Sequence, residues 1–287
     1  MCDSAMMKKW GEAAMTRRRF GQVAAASGLA FGAAGCATMA APGQSGRAVS
    51  FATPDGTMDG WYVTTSGTRK PGVLFWPDIA GLRPAKKAMA SRLAAAGHAV
   101  LVINPYYRDV SGQQYEDFAE FAASDGFQTV RPWREKLTAD AIMRDAKAAT
   151  AWLDAQDEVD TTRGIGTQGY CMGGPFTFWT AAAVPARVKA AASFHGGGLV
   201  REGANSPHRM VDESRAGYLV AIAQDDDAKD PEATATLRET FAALDNPAEI
   251  EVYPGDHGWT VPDSPAYAPE AAERAWEQLQ ALYAREL

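Results

Sequence analysis

Short apolar runs rich in β-branched and aromatic residues punctuate the chain at positions 49–53, 58–64, 72–76, 99–102, 164–169, 190–194, 218–223 and 249–253. Each has the length of a strand. Between them the period lengthens to that of an amphipathic helix. Ile142, Ala146, Ala149 and Leu153 share one stripe, and Ala272, Ala275, Trp276, Leu279, Leu282 and Tyr283 share another. This alternation predicts an α/β fold, with a mostly parallel central sheet and helices on both faces. The first two runs flank Pro54-Asp55-Gly56, which predicts a hairpin at one sheet edge. Residues 108–134 break the alternation: they are aromatic and acidic with little periodicity. They read as a lid or binding insertion within a domain spanning 41–287.

The chain has 287 residues, 46% hydrophobic and 22% charged, enough for one large globular domain. Its first 40 residues follow a different pattern. Thr16-Arg17-Arg18-Arg19-Phe20 precedes an apolar stretch of small residues from Val23 to Ala34, too short for a comfortable membrane span. The arrangement resembles a twin-arginine export signal, which places the mature protein outside the bacterial cytoplasm, in the periplasm or anchored at its membrane. Ala33-Ala34-Gly35-Cys36 resembles a lipoprotein box, in which an acylated Cys36 would be the one membrane tether. Plain cleavage near Ala40 is the alternative. Loss of residues 1–36 shifts the net charge from −7 to −10, a balance that repels phosphate backbones and argues against a nucleic-acid partner. Of Cys2, Cys36 and Cys171, only Cys171 then remains in the domain, so no intramolecular disulfide can form.

Cys171 sits in Gly169-Tyr170-Cys171-Met172-Gly173, directly after a strand and before the helical pattern of 176–183. A strand running into Gly-x-Cys-x-Gly and then a helix is the nucleophile-elbow pattern with sulfur in place of oxygen. The glycines keep Cβ atoms out of a sharp turn, and the helix N-terminus favours a thiolate and a developing oxyanion. A buried small hydrophobe in a glycine-rich turn is the competing reading. The rest of the chain favours chemistry, because an acid and then a histidine follow in the order that this architecture uses. One strand runs into Asp225-Asp226-Asp227, and the next into Gly255-Asp256-His257-Gly258-Trp259. Any of the three aspartates could orient His257, which would take and return the thiol proton. His195 ends a strand and could line the pocket, whereas His98 reads as structural and His208 lies in a loop.

On these motifs the chain, from about Gly72 to Leu287, resembles the dienelactone hydrolase family of α/β-hydrolases. The resemblance implies a cofactor-free hydrolase with a Cys171, Asp226, His257 triad, acting on a small-molecule ester or lactone through a thioester. It implies an oxyanion hole from the backbone N–H groups of Ile79 and Met172. Pro77-Asp78-Ile79-Ala80-Gly81 falls where the family has Glu-Ile-x-Gly, whose glutamate modulates the cysteine; Asp78 is one methylene shorter. Asn104-Pro105-Tyr106-Tyr107-Arg108 matches a segment whose arginine binds a substrate carboxylate, so Arg108, Tyr107, His195 and Trp259 are expected around the substrate. The family's second arginine, four residues beyond its histidine, is Val261 here.

A non-catalytic exported binding protein on the same fold is the alternative, though a binder has no need of a complete Cys–Asp–His set. A redox role lacks a second cysteine to resolve a sulfenic acid. No spacing of cysteine, histidine or acidic residues suggests a metal, and nothing in the sequence specifies an oligomer.

Overall fold

A computed structural model describes residues 44–244 and 247–287. The segment read as an export signal, with Cys2 and Cys36, lies outside the described residues.

Eight strands form one sheet in the order β1-β2-β4-β3-β5-β6-β7-β8. The strands are β1 (Gln44–Thr53), β2 (Gly56–Thr65), β3 (Gly72–Trp76), β4 (Ala99–Ile103), β5 (Ile165–Tyr170), β6 (Val188–Phe194), β7 (Gly217–Ala223) and β8 (Ala248–Tyr253). The β1–β2 hairpin and the β2–β4 pair are antiparallel; β3 to β8 run parallel with β4. All eight expected strands are present, with ends shifted by a few residues. The longest extension is at β1, whose polar start pairs along the whole of β2 as an edge strand.

The parallel strands separate two cores. In β3, Val73 and Phe75 face one side while Leu74 and Trp76 face the other; β4 repeats this with Val100 and Val102 against Leu101 and Ile103. Burial on both faces explains why these runs are apolar without alternation. Helices α1 (Pro84–Ala95) and α9 (Pro269–Glu286) cover the first side. Helices α5 (Ala139–Asp154), α6 (Gly174–Ala183) and α8 (Pro231–Ala242) cover the second. Between α6 and β7, residues Pro207–Glu213 form a 3-10 segment packed on α6.

The insertion after β4 is more ordered than its composition suggests. It folds into three short helices, α2 (Phe118–Ala123), α3 (Gly126–Thr129) and α4 (Arg131–Arg134). Asp117 caps the first by accepting the Glu120 N–H, and Phe118, Phe121 and Phe127 pack ring on ring. Helices of four to six residues carry too few turns for a periodic signal.

The stripe on α5 is buried as its spacing predicts, and Thr138 caps its N-terminus. Leu153 is fully buried against the sheet. Leu153→Ala is expected to destabilise the fold by about 2–5 kcal/mol, read as a lower denaturant midpoint at unchanged slope.

Candidate active site

The strand order reverses between β3 and β5, which is where open α/β sheets leave a crevice at their carboxyl edge. Three loops enclose a cavity there. Asp78 and Ile79 come from the loop after β3, Cys171 from the turn after β5, and His257 with Val261 from the loop after β8. His195 at the end of β6 and Phe118 of α2 help to close the wall. The cavity measures about 10 Å³, room for a single water.

Cys171 follows β5 in a single 3-10 turn, Cys171–Gly173, that opens directly into α6. Its φ of 52° lies in the left-handed region, a conformation that costs a non-glycine residue about 1–3 kcal/mol. The flanking glycines are required by contact. A Cβ on Gly169 would stand 2.0 Å from the Gly173 carbonyl oxygen, and one on Gly173 would stand 2.6 Å from the carbonyl oxygens of Trp76 and Pro77. The turn therefore closes on itself and against the loop that carries Asp78 and Ile79.

The structure selects one of the three consecutive aspartates to face the imidazole. All three lie on α7 (Gln224–Lys229), directly after β7. Asp225 accepts the His257 backbone N–H at 2.7 Å, Asp226 meets His257 Nδ1 at 2.6 Å, and Asp227 accepts the Thr234 hydroxyl at 2.6 Å. The His257 side chain also hydrogen-bonds with Cys171. Burial alone would lower the proton affinity of this imidazole. The charge on Cys171 and the hydrogen bonds to Asp226 and Cys171 outweigh burial, and push the His257 pKa up to about 10.

Two loops meet where an oxyanion could be held. After β3, Gly81 N–H donates to the Asp78 carbonyl and Ala80 N–H to Asp78 Oδ1, which leaves the Ile79 amide outside the turn's own bonding. Met172 lies at the start of the turn before α6. Tyr106 joins these loops: its hydroxyl donates to the Ile79 carbonyl at 2.8 Å and lies 3.5 Å from the Met172 sulfur. The sequence motif contained Tyr106 but gave no reason to single it out.

His195 is in the pocket wall, as expected. Its φ is 40°, its Nε2 is 2.8 Å from the Thr260 hydroxyl, and its ring meets that of His257 edge-on at 5.1 Å. Burial, then the neighbouring His257 charge, drives its pKa well below the usual histidine value, so it is neutral. His98 and His208 face elsewhere. His98 Nδ1 is near the Leu93 carbonyl, and His208 Nδ1 pairs with Ser206.

Asp78 does not stand ready beside the sulfur as the shorter counterpart of a modulating glutamate. Its carboxylate accepts three hydrogen bonds and pairs with a lysine. Oδ1 receives Arg83 Nη1 at 2.7 Å and Ala80 N–H at 3.0 Å; Oδ2 receives Arg83 Nη2 at 3.0 Å and forms an ion pair with Lys86 Nζ at 2.7 Å. Arg83 turns its other edge to Asp263, with Nε and Nη2 at 2.7 and 2.8 Å. Asp263 accepts the Phe118 backbone N–H as well. Both cationic side chains are fully buried, and with Asp78 and Asp263 they form a quartet of zero net charge. Burial would push the Asp78 carboxyl up; the Arg83 and Lys86 charges reverse this and hold it well below the usual carboxylate range.

Three further expectations need correction. Arg108 does not reach the cavity: its guanidinium grips Asp145 at 2.7 and 2.9 Å and Asp55 at 2.6 Å. Tyr107 joins the same cluster, donating to Asp145 at 2.6 Å. Asp145 lies within the apolar stripe of α5, and a carboxylate buried there draws in the nearest cation. Trp259 does not line the cavity either. It is fully buried beside the site, stacked on Tyr253 with centroids 4.7 Å apart and edge-on to the His195 ring at 6.4 Å.

A sheet of this topology, with a strained turn after β5, an acid after β7 and a histidine after β8, has the α/β-hydrolase fold. A family model for the dienelactone hydrolase family matches residues 58–287, and the chain belongs to that family. It is 27% identical over 221 residues to a Synechocystis protein named "Putative carboxymethylenebutenolidase", a match covering 76% of this chain and 87% of that one. Its fold is similar to the crystal structure of a dienelactone hydrolase from Anabaena variabilis, with a TM-score of 0.62 at 18% identity over 85% of this chain and 99% of that one. An acylaminoacyl peptidase from Pyrococcus horikoshii shares the fold more distantly, with a TM-score of 0.57 at 18% identity over 85% of this chain and 42% of that one.

Asp78→Asn would leave Arg83 and Lys86 buried with half their counter-charge. It is expected to cost about 3–5 kcal/mol at neutral pH, measured by denaturant titration. Because the folded-state pKa of Asp78 is depressed, its contribution is complete above about pH 4 and is lost as pH falls further. The gap between wild type and Asp78→Asn should therefore narrow on acidification.

Proposed function

We propose that this protein is a hydrolase of small esters or lactones in which Cys171 is the nucleophile, His257 the general acid and base, and Asp226 the group that orients His257. The observation that carries the reading is the continuous chain of contacts from Cys171 through His257 to Asp226, built on a left-handed turn at the cavity wall. The raised proton affinity of His257 supports a resting thiolate–imidazolium pair.

The reaction then runs in two halves. The Cys171 sulfur attacks the substrate carbonyl carbon, and the displaced electron pair moves to the carbonyl oxygen. The Ile79 and Met172 N–H groups face this oxyanion; removing one such donor typically costs about 3 kcal/mol of transition-state stabilisation. Collapse expels the alcohol oxygen, which takes the proton from His257, and leaves an acyl thioester. Water entering the site gives a proton to His257 as its oxygen attacks the thioester. Expulsion of the thiolate releases the acid and restores the pair. Thiolate departs readily, so activated esters, enol esters and lactones should react better than amides.

Asp226 fixes the tautomer by accepting the Nδ1 proton, so that Nε2 exchanges the proton with sulfur and substrate. His195 remains neutral beside it, and so does not compete electrostatically with the imidazolium.

Cys171→Ala is expected to abolish p-nitrophenyl ester hydrolysis. Activity within tenfold of wild type would defeat the assignment. The charge state is tested by alkylation with iodoacetamide. A thiol of ordinary pKa loses well over tenfold in rate between pH 8 and pH 6, whereas the paired thiolate should change by no more than a few-fold. His257→Asn should restore the ordinary steep dependence.

A further inference from the structure

Resting on the thioester-hydrolase reading, we infer that the site is built for acyl groups that carry no charge. The sequence motifs led to the opposite expectation, a carboxylate held by Arg108. Three observations at the cavity reverse it.

First, the side chains that could touch the acyl group beyond the reacting carbonyl include Ile79, Phe118 and Val261, all apolar. Val261, four residues beyond His257, lines the cavity and is buried.

Second, each neighbouring cation is already paired with a carboxylate of this chain. Arg83 is bidentate on one edge to Asp78 and bound on the other to Asp263, and its side chain has no exposed surface. Lys86 is committed to Asp78 and lies over the Tyr170 ring, also without exposure. Arg108 is held by Asp55 and Asp145. His257 is balanced by Cys171 in the proposed pair, and neutral His195 adds no charge.

Third, the charges that line the wall are already matched: Asp78 by Arg83 and Lys86 and, in the proposed pair, Cys171 by His257. The cavity, about 10 Å³, has to widen for any substrate, and a carboxylate entering it would lose its water and find no unpaired cation among the described residues lining the cavity. A neutral acyl chain of the same length loses only apolar contact with water and gains contact with Phe118, Ile79 and Val261. The charge-neutral quartet holds the loop after β3, the insertion and the loop after β8 together without leaving a field to attract an anion.

The test compares three p-nitrophenyl esters of one chain length: the butyrate, the hemisuccinate and the methyl succinate. With each rate corrected for its reactivity toward hydroxide, kcat/KM for the butyrate and the methyl succinate should exceed that for the hemisuccinate by at least a hundredfold. Val261→Arg should narrow the gap by tenfold or more, and Arg108→Ala should leave it unchanged within twofold. Equal or better hydrolysis of the hemisuccinate by wild type would overturn the inference, as would a selective loss of hemisuccinate activity in Arg108→Ala. A binding measurement covers the case of no turnover. Butyramide should protect Cys171 from alkylation at concentrations where succinamate does not, and equal or reversed protection would overturn the inference. Full butyrate hydrolysis by Cys171→Ala would instead defeat the thioester reading and leave the charge preference standing.

Discussion

A buried guanidinium shared between two carboxylates holds the site together. Arg83 reaches Asp78 in the loop after β3 and Asp263 in the loop after β8, and Asp263 passes the connection to the backbone of Phe118. Three segments remote in sequence are thereby fixed by hydrogen bonds of defined direction, where apolar packing would have left them free to slide. Placing charges out of water is costly, and the quartet offsets that cost by pairing two cations with two carboxylates. The space left between the loops, just large enough for a water, reflects how tightly these segments are drawn together.

That arrangement changes what Asp78 can do. With Arg83, Lys86 and the Ala80 N–H on its two oxygens, its carboxylate is committed to its own loop and the start of the next helix. In the proposed reaction the proton of Cys171 therefore passes to His257, whose side chain hydrogen-bonds with it.

Most of the scaffold was legible because its signals are local. The eight apolar runs, the stripe on α5 and the glycines around Cys171 each follow from a repeating pattern or a steric rule within a few residues. The identity of Asp226 was narrowed to three neighbours, and helical geometry on α7 separated them by the direction each side chain takes. The failures share a cause. Arg108 and Trp259 sit next to strands that end near the site, but Asp145 captures the first and the stacked Tyr253 captures the second. No motif or periodic stripe in the sequence singled out Arg83 and Lys86. Their burial depends on Asp78 and Asp263, and only the latter's 180-residue separation from Arg83 in sequence made that pairing invisible. A helix start that carries two cations and no acid, Arg83 and Lys86 flanking Pro84 and Ala85, runs against the helix dipole and was the one available hint.

Cys171 and His195 both hold left-handed backbone at the ends of adjacent strands, where glycine would sit without strain. Each residue costs the folded state about 1–3 kcal/mol that a protein shaped for durability alone would recover. Laboratory selection for heat resistance, applied without a demand for turnover, would be drawn to these two codons. The survivors would be sturdier, and at residue 171 they would have exchanged a reactive sulfur for a hydrogen atom.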